Sequence, residues 1–98
     1  MKEKRLDGQV AIVTGASAGI GEAAVRMLAR EGASVVLAAR RKARLDQLEK
    51  EIKASGGNAL AIEADVTSPE DRQRIVRETM TSFGRIDALF NNAGRFIV

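Results

Sequence analysis

The sequence contains no cysteine, no histidine, no tyrosine and no tryptophan. Without cysteine there are no disulfides and no thiolate chemistry, and nothing points to an oxidising compartment. Without histidine the commonest metal ligand and the commonest general base are both missing. Three phenylalanines are the only aromatic residues, so Ala, Val, Ile and Leu must build the interior. There is one proline, at position 69. No apolar run approaches the roughly 18 residues of a membrane helix. The charged N-terminal stretch MKEKRLDGQ does not lead into a signal-peptide pattern, because glycines soon interrupt the apolar Val10–Val13. A cytoplasmic protein without membrane partners is expected.

The remainder is globular in composition, 45% hydrophobic and 30% charged over 98 residues, which suits one domain at most. The net charge is +3. Acidic and basic residues alternate along EAAVRMLARE and QLEKEIKAS, with no basic stripe and no interleaved aromatics. Nucleic acid is therefore not expected as a partner.

Short β-branched runs alternate with longer amphipathic stretches. Val10–Thr14 is a continuous apolar run, as expected of a strand buried on both faces. A helix follows, with Ile20, Ala24, Met27 and Leu28 as its inward face and Gly32 as its stop. Ser34–Ala39 is a second strand. Leu45, Leu48 and Ile52 mark a second helix closed by Ser55-Gly56-Gly57, and Ala59–Ala64 a third strand. Ser68 and Pro69 open a third helix as N-cap and first helical residue, followed by Glu70 and Asp71 at the positive end of its dipole. Val76, Met80 and Phe83 form its expected inward stripe, Gly84 ends it, and Ile86–Asn91 is a fourth strand. This β-α-β-α-β-α-β order predicts an α/β fold, a Rossmann-type doubly wound parallel sheet, present in part, with strand order 3-2-1-4. Residues 1–98 are expected to form a single domain, the N-terminal part of a nucleotide-binding unit.

Between the first strand and the first helix lies TGASAGIG, Thr14 to Gly21. A dinucleotide lays its pyrophosphate against backbone amides at a helix N-terminus, where dipole and unpaired donors favour an anion and side chains would obstruct. Gly15 permits the turn off the strand, Gly19 lets the backbone approach the phosphates, and Gly21 lets the helix pack on the sheet. Ser17 offers a hydroxyl to the phosphates or to the loop. Gly15 and Gly19 are separated by three residues, not by the one of the commonest dinucleotide fingerprint.

That spacing, with AARR (Ala38–Arg41), ADVT (Ala64–Thr67) and NNAG (Asn91–Gly94) following in order, resembles the short-chain dehydrogenase/reductase family from Leu6 to Gly94. The resemblance implies that Gly15, Ser17, Gly19, Ile20 and Gly21 line the cofactor phosphates. It implies that Asp65 and Val66 flank the adenine, with Asp65 accepting a hydrogen bond from the exocyclic amine. Asn91, Ala93 and Gly94 would lie along the ribose. The plainer readings are a turn role for Asp65 ahead of Ser68, and backbone satisfaction at a strand end for Asn91 and Asn92; each is compatible with cofactor binding.

The end of the second strand bears on cofactor choice. An NAD site usually places an acid there to accept from the ribose hydroxyls, whereas this chain has Ala39 followed by Arg40 and Arg41. A guanidinium binds a 2′-phosphate through charge-assisted, bidentate bonds, and cations beside a helix N-terminus are otherwise mildly unfavourable. NADP(H) is the expected cofactor. Against it, Arg40 and Arg41 also suit a solvated helix start, and Ala18 stands where many NADP-preferring members of the family carry a second basic group.

In this family the chemistry depends on a Ser and on a Tyr whose pKa is lowered by a Lys four residues later. This chain has no Tyr, and the resemblance places those residues beyond Val98. The expectation is the front part of an oxidoreductase that moves hydride between NADP(H) and a carbonyl or alcohol. The complete enzyme would take a small-molecule substrate and form a homo-oligomer, while the 98 residues alone would not catalyse. The alternatives are a non-catalytic NADP(H)-binding module and an interaction fragment. A continued reading frame encoding Tyr-x-x-x-Lys marks the first reading. A stop codon marks the alternatives, with tight NADPH binding in the module and none in the fragment.

Overall fold

The computed structural model describes residues 5–16 and 19–91. Four strands and three helices alternate: β1 (Val10–Thr14), α1 (Gly19–Arg30), β2 (Ser34–Ala39), α2 (Lys42–Ala54), β3 (Asn58–Glu63), α3 (Pro69–Phe83) and β4 (Ala88–Asn91). All pairings are parallel and the sheet order is β3-β2-β1-β4, as the sequence predicts. β3 begins and ends one residue earlier than expected. β4 starts at Ala88, not Ile86: ahead of the first paired residues, Ala11 and Ala88, the Val10 N–H is met by the Asp87 carboxylate and not by a backbone carbonyl.

The β-branched runs are central because they are apolar on both faces. Residues of β1 and β2 alternate between two cores. Ala11, Val13, Val35, Leu37 and Ala39 pack with Val25, Leu28, Leu45, Leu48 and Ile52 of α1 and α2. Ile12, Val36 and Ala38 pack on the other face with Ile62 and with Ile75 of α3. Leu37, Leu45 and Leu48 are fully buried, and each such side chain contributes about 1.5–3 kcal/mol relative to exposure.

Two expected helix faces need correcting. The buried line of α1 is Gly21, Val25 and Leu28; Ile20 and Met27 are exposed, and Ala24 is half-buried. In α3 the buried pair is Ile75 and Thr79, with Val76 and Met80 exposed and Phe83 half-buried against the core. The buried line is displaced by one residue in each helix, forward in α1 and backward in α3, while Leu28 and Phe83 lie inward as expected. Thr79 tolerates full burial because its hydroxyl donates to the Ile75 carbonyl at 2.7 Å.

The helix ends follow local chemistry. Ser68 Oγ accepts from the Asp71 N–H at the start of α3, and Gly84 (φ 79°) closes that helix. At the end of α2, Gly56 is left-handed (φ 91°), its N–H meets the Lys53 carbonyl, and the Gly57 N–H meets that of Ile52. This is the paired Schellman closure.

Candidate cofactor crevice

Because all four strands are parallel, their C-terminal ends share one edge of the sheet. That edge carries Thr14–Gly15, Ala39–Arg40, Glu63–Asp65 and Asn91. The chain leaves β1 toward β2 and β3, then returns to β4 on the opposite side of β1. Between β1 and β4 it therefore forms the switch-point crevice where doubly wound sheets bind ligands.

The turn after β1 is built for close approach. Gly15 (φ 65°) and Gly19 (φ 58°) both adopt the left-handed region. A Cβ placed on Gly19 would meet nothing within 4 Å, so at this residue the start of α1 presents backbone to open space. Gly21, in the first turn of α1, is buried, as its packing role requires, and Ile20 beside it is 79% exposed. The turn is tied to β2 through the Ala16 N–H and the Ala38 carbonyl (3.4 Å). Ser17, Asn92, Ala93 and Gly94 lie outside the described residues.

Asp65 does perform the turn role. Its Oδ1 accepts from the Thr67 N–H (2.9 Å) and hydroxyl (2.7 Å), and its carbonyl accepts from the Ser68 N–H. The Thr67 bonds, aided by the charge of Arg40, hold its carboxyl below the ordinary value. Oδ2 accepts no hydrogen bond from the described residues, leaving one oxygen for a donor outside the chain. Val66 is half-buried on the α3 side of the core. Asn91 is exposed, and its Oδ1 accepts from the Thr14 hydroxyl at 2.9 Å. This clasp joins β1 and β4 at the crevice floor, and the hydroxyl at position 14 is a feature that sequence reasoning missed.

Arg40 and Arg41 are exposed and form no ion pair among the described residues. Their neighbours differ. Lys42 Nζ pairs with Asp46 (2.9 Å), and Arg44 Nη2 contacts both oxygens of Glu22 (2.7 and 2.6 Å). Glu22 also accepts from Arg26, which in turn reaches Glu51 at 2.6 Å. Arg44, then Arg26, holds the Glu22 carboxyl below its ordinary value. This chain of charges was not legible in the sequence, since its partners stand 22 and 25 residues apart. A cleft of about 710 Å3 between α1 and α2, lined in part by Arg30, Ile52 and Gly57, opens toward the opposite edge of the sheet and is not part of this crevice.

Among the described residues no helix is long and apolar enough to cross a membrane. The family model for short chain dehydrogenases matches residues 9–97. An uncharacterised oxidoreductase of Listeria innocua is 46% identical over 89 residues, which is 91% of this chain and 36% of the relative. The A-factor type gamma-butyrolactone 1'-reductase (1S-forming) of Streptomyces virginiae is 50% identical over 86 residues, 88% of this chain and 34% of the relative. Among solved structures, a hydroxysteroid dehydrogenase from Escherichia coli superposes with a TM-score of 0.89 at 38% identity, covering 93% of this chain and 39% of that one. A metagenomic short-chain oxidoreductase in complex with NADP gives 0.85 at 44% identity, covering 92% and 41%. The chain thus spans about a third of the length of the curated relatives it matches. With its sheet order, its glycine turn and this match along nearly its whole length, the chain belongs to the short-chain dehydrogenase/reductase family of oxidoreductases.

Proposed function

We propose that residues 1–98 form a single nucleotide-binding domain, the front portion of an NADP(H)-dependent oxidoreductase. The whole protein would move hydride between the coenzyme and a carbonyl or alcohol of a small molecule, as a cytoplasmic homo-oligomer. The observation that carries the cofactor choice is the pair Arg40 and Arg41. Neither guanidinium forms a contact ion pair among the described residues, although Arg40 lies near enough to Asp65 for its charge to act there, and Ala39 supplies no acid to repel a phosphate. The solved relative that holds NADP supports the same choice.

Each part of the crevice has a task in this reading. The amides of Gly19, Ile20 and Gly21, with Gly15 and Ser17 in the turn, receive the diphosphate, where helix dipole and unpaired donors favour an anion. Arg40 binds the 2′-phosphate and Arg41 reinforces it. Such charge-assisted bonds contribute roughly 1.5–3 kcal/mol, or about ten- to a hundredfold in affinity. Asp65 Oδ2 and Val66 border the adenine; Asn91, Ala93 and Gly94 border the ribose. The coenzyme supplies the hydride chemistry when bound, and the chain's residues bind and orient it. Since the sequence has no Tyr, the 98 residues bind without catalysing.

NADPH is expected to raise the melting temperature more than NADH at equal concentration, and Arg40→Ala to remove the difference. Equal shifts with the two coenzymes in the wild-type protein, or an undiminished difference in Arg40→Ala, would refute the assignment.

A further inference from the structure

The start of α2 is electrostatically unusual beside that of α3. α3 begins with a Ser68 side-chain cap, a proline and two acids in its first turn. α2 begins at Lys42, its N-cap Arg41 makes no side-chain cap bond and its first turn has no acid, yet Arg40, Arg41, Lys42 and Arg44 crowd its positive end. Its charges repel one another and the helix dipole, and the local contacts on this turn are few: Lys42 to Asp46, and Arg44 to Gln47 at 3.0 Å. The compensation comes partly from Asp46 on Lys42 and partly from another helix: Glu22 of α1 grips Arg44 at 2.7 and 2.6 Å. Glu22 directly follows Gly21 of the diphosphate turn, and Arg44 stands in the first turn of α2, four residues after Arg40. The pair therefore spans the distance between the two phosphate-binding elements of the crevice.

We propose that Glu22 is a positioning residue for recognition of the coenzyme's 2′-phosphate. By holding Arg44 across the gap between α1 and α2, it places Arg40 and Arg41 at a set distance from the glycine turn. This inference rests on the reading of the crevice as an NADP(H) site. Preorganisation explains why it acts on selectivity: the guanidiniums bind more strongly when their turn is already in place. A second tie, Arg26 to Glu51 at 2.6 Å, links the same helices farther along, so loss of Glu22 leaves α1 and α2 joined.

The test is calorimetric titration with 2′-phospho-ADP-ribose and with ADP-ribose, which differ only in the phosphate at issue. The proteins are wild type, Glu22→Gln, Arg44→Gln, the double variant and Arg40→Ala. Glu22→Gln should lower the preference for the phosphorylated ligand about three- to fivefold, the scale of a partly exposed ion pair, with ADP-ribose affinity nearly unchanged. Arg44→Gln should do the same, and the double variant no more than either, because the two side chains act as one unit. A residue that merely glues helices would weaken both ligands alike, and that outcome overturns the proposal. So does an unchanged or increased preference in Glu22→Gln, since an unpaired Arg44 acting only through its field would attract phosphate more strongly. If wild type shows no preference, or Arg40→Ala retains it, the NADP(H) assignment falls and this inference with it. Loss of the preference in Arg40→Ala but not in Glu22→Gln overturns this inference alone.

Discussion

Asp87 extends the β1–β4 ladder by one rung, half of it backbone and half of it side chain. Its N–H donates to the Val10 carbonyl at 2.8 Å while its Oδ2 accepts from the Val10 N–H at 2.7 Å. Arg85 braces the carboxylate through two bonds, at 2.9 and 2.7 Å. These contacts, Arg85 first and then Val10, hold the carboxyl below its ordinary value. A carboxyl whose pKa is lowered by folding stabilises the folded form above its unfolded pKa of about 3.9. That contribution is lost as pH falls through the folded value. Asp87→Asn should therefore lower the melting temperature at neutral pH by on the order of a few degrees. The gap to wild type should close in acid, where both side chains are neutral. Melting curves from pH 7 down to about pH 2 check this, and a gap independent of pH would contradict it.

Residue identity alone foretold much of the crevice. Gly15, Gly19, Arg40 and Asp65 all lie at the C-terminal edge of the sheet, because strand ends and glycine turns are written in neighbouring residues. What escaped depended on partners distant in the chain. The Thr14–Asn91 clasp spans 77 residues and the Glu22–Arg44 pair spans 22, and neither leaves a local signal.

At the scale of elements, the strands were easier to read than the faces of the helices. A strand apolar on both sides has no face to choose. A helix with two adjacent apolar residues, as at Ile75 and Val76, offers two stripes of equal period. Packing decided for Ile75 and Thr79, and in α1 for Gly21, Val25 and Leu28, where Gly21 and Thr79 bring less bulk to the sheet than Ile20 and Met80 would. Size also governs the α2–β3 connection. A Cβ on Gly57 would lie 2.8 Å from Ile52 Cγ2 and 3.3 Å from the Ile52 carbonyl oxygen. Ile52 is buried and branched at Cβ, so it cannot swing aside. Gly57→Ala is expected to destabilise the fold by about 1–3 kcal/mol through overpacking, as read by urea unfolding. A change below about 0.5 kcal/mol, the usual span for surface substitutions, would show that the closure of α2 yields more easily than its geometry suggests.

The molecule as a whole has one edge unlike the rest. Among the described residues β4 pairs with β1 alone, as β3 does with β2, but the side chains of β4 are poorly covered. Leu89, in register with Ile12, stands on the α3 face at 63% exposure, beside a helix whose Val76 and Met80 are also exposed. Phe90, in register with Val13, stands on the α1 face at 40%. An open edge with apolar flanks on both faces is a template for association. The 98-residue polypeptide should self-associate with rising concentration, and Leu89→Lys should reduce this. Sedimentation across a concentration series reads the effect; a monodisperse wild-type monomer throughout would count against it.

The same strand is also the one whose docking requires the longest loop to close. β1, β2 and β3 pair with strands next to them in the chain, whereas the bond from Val10 to Asp87 reaches across 77 residues. Closing a long loop costs more entropy than closing a short one, so β4 is expected to join the sheet last and leave it first. When it leaves, Thr14 loses the Asn91 carboxamide, and one wall of the nucleotide crevice departs with it. A dinucleotide seated between β1 and β4 would thus act as a latch, its affinity and the closure of the sheet being two readings of a single equilibrium.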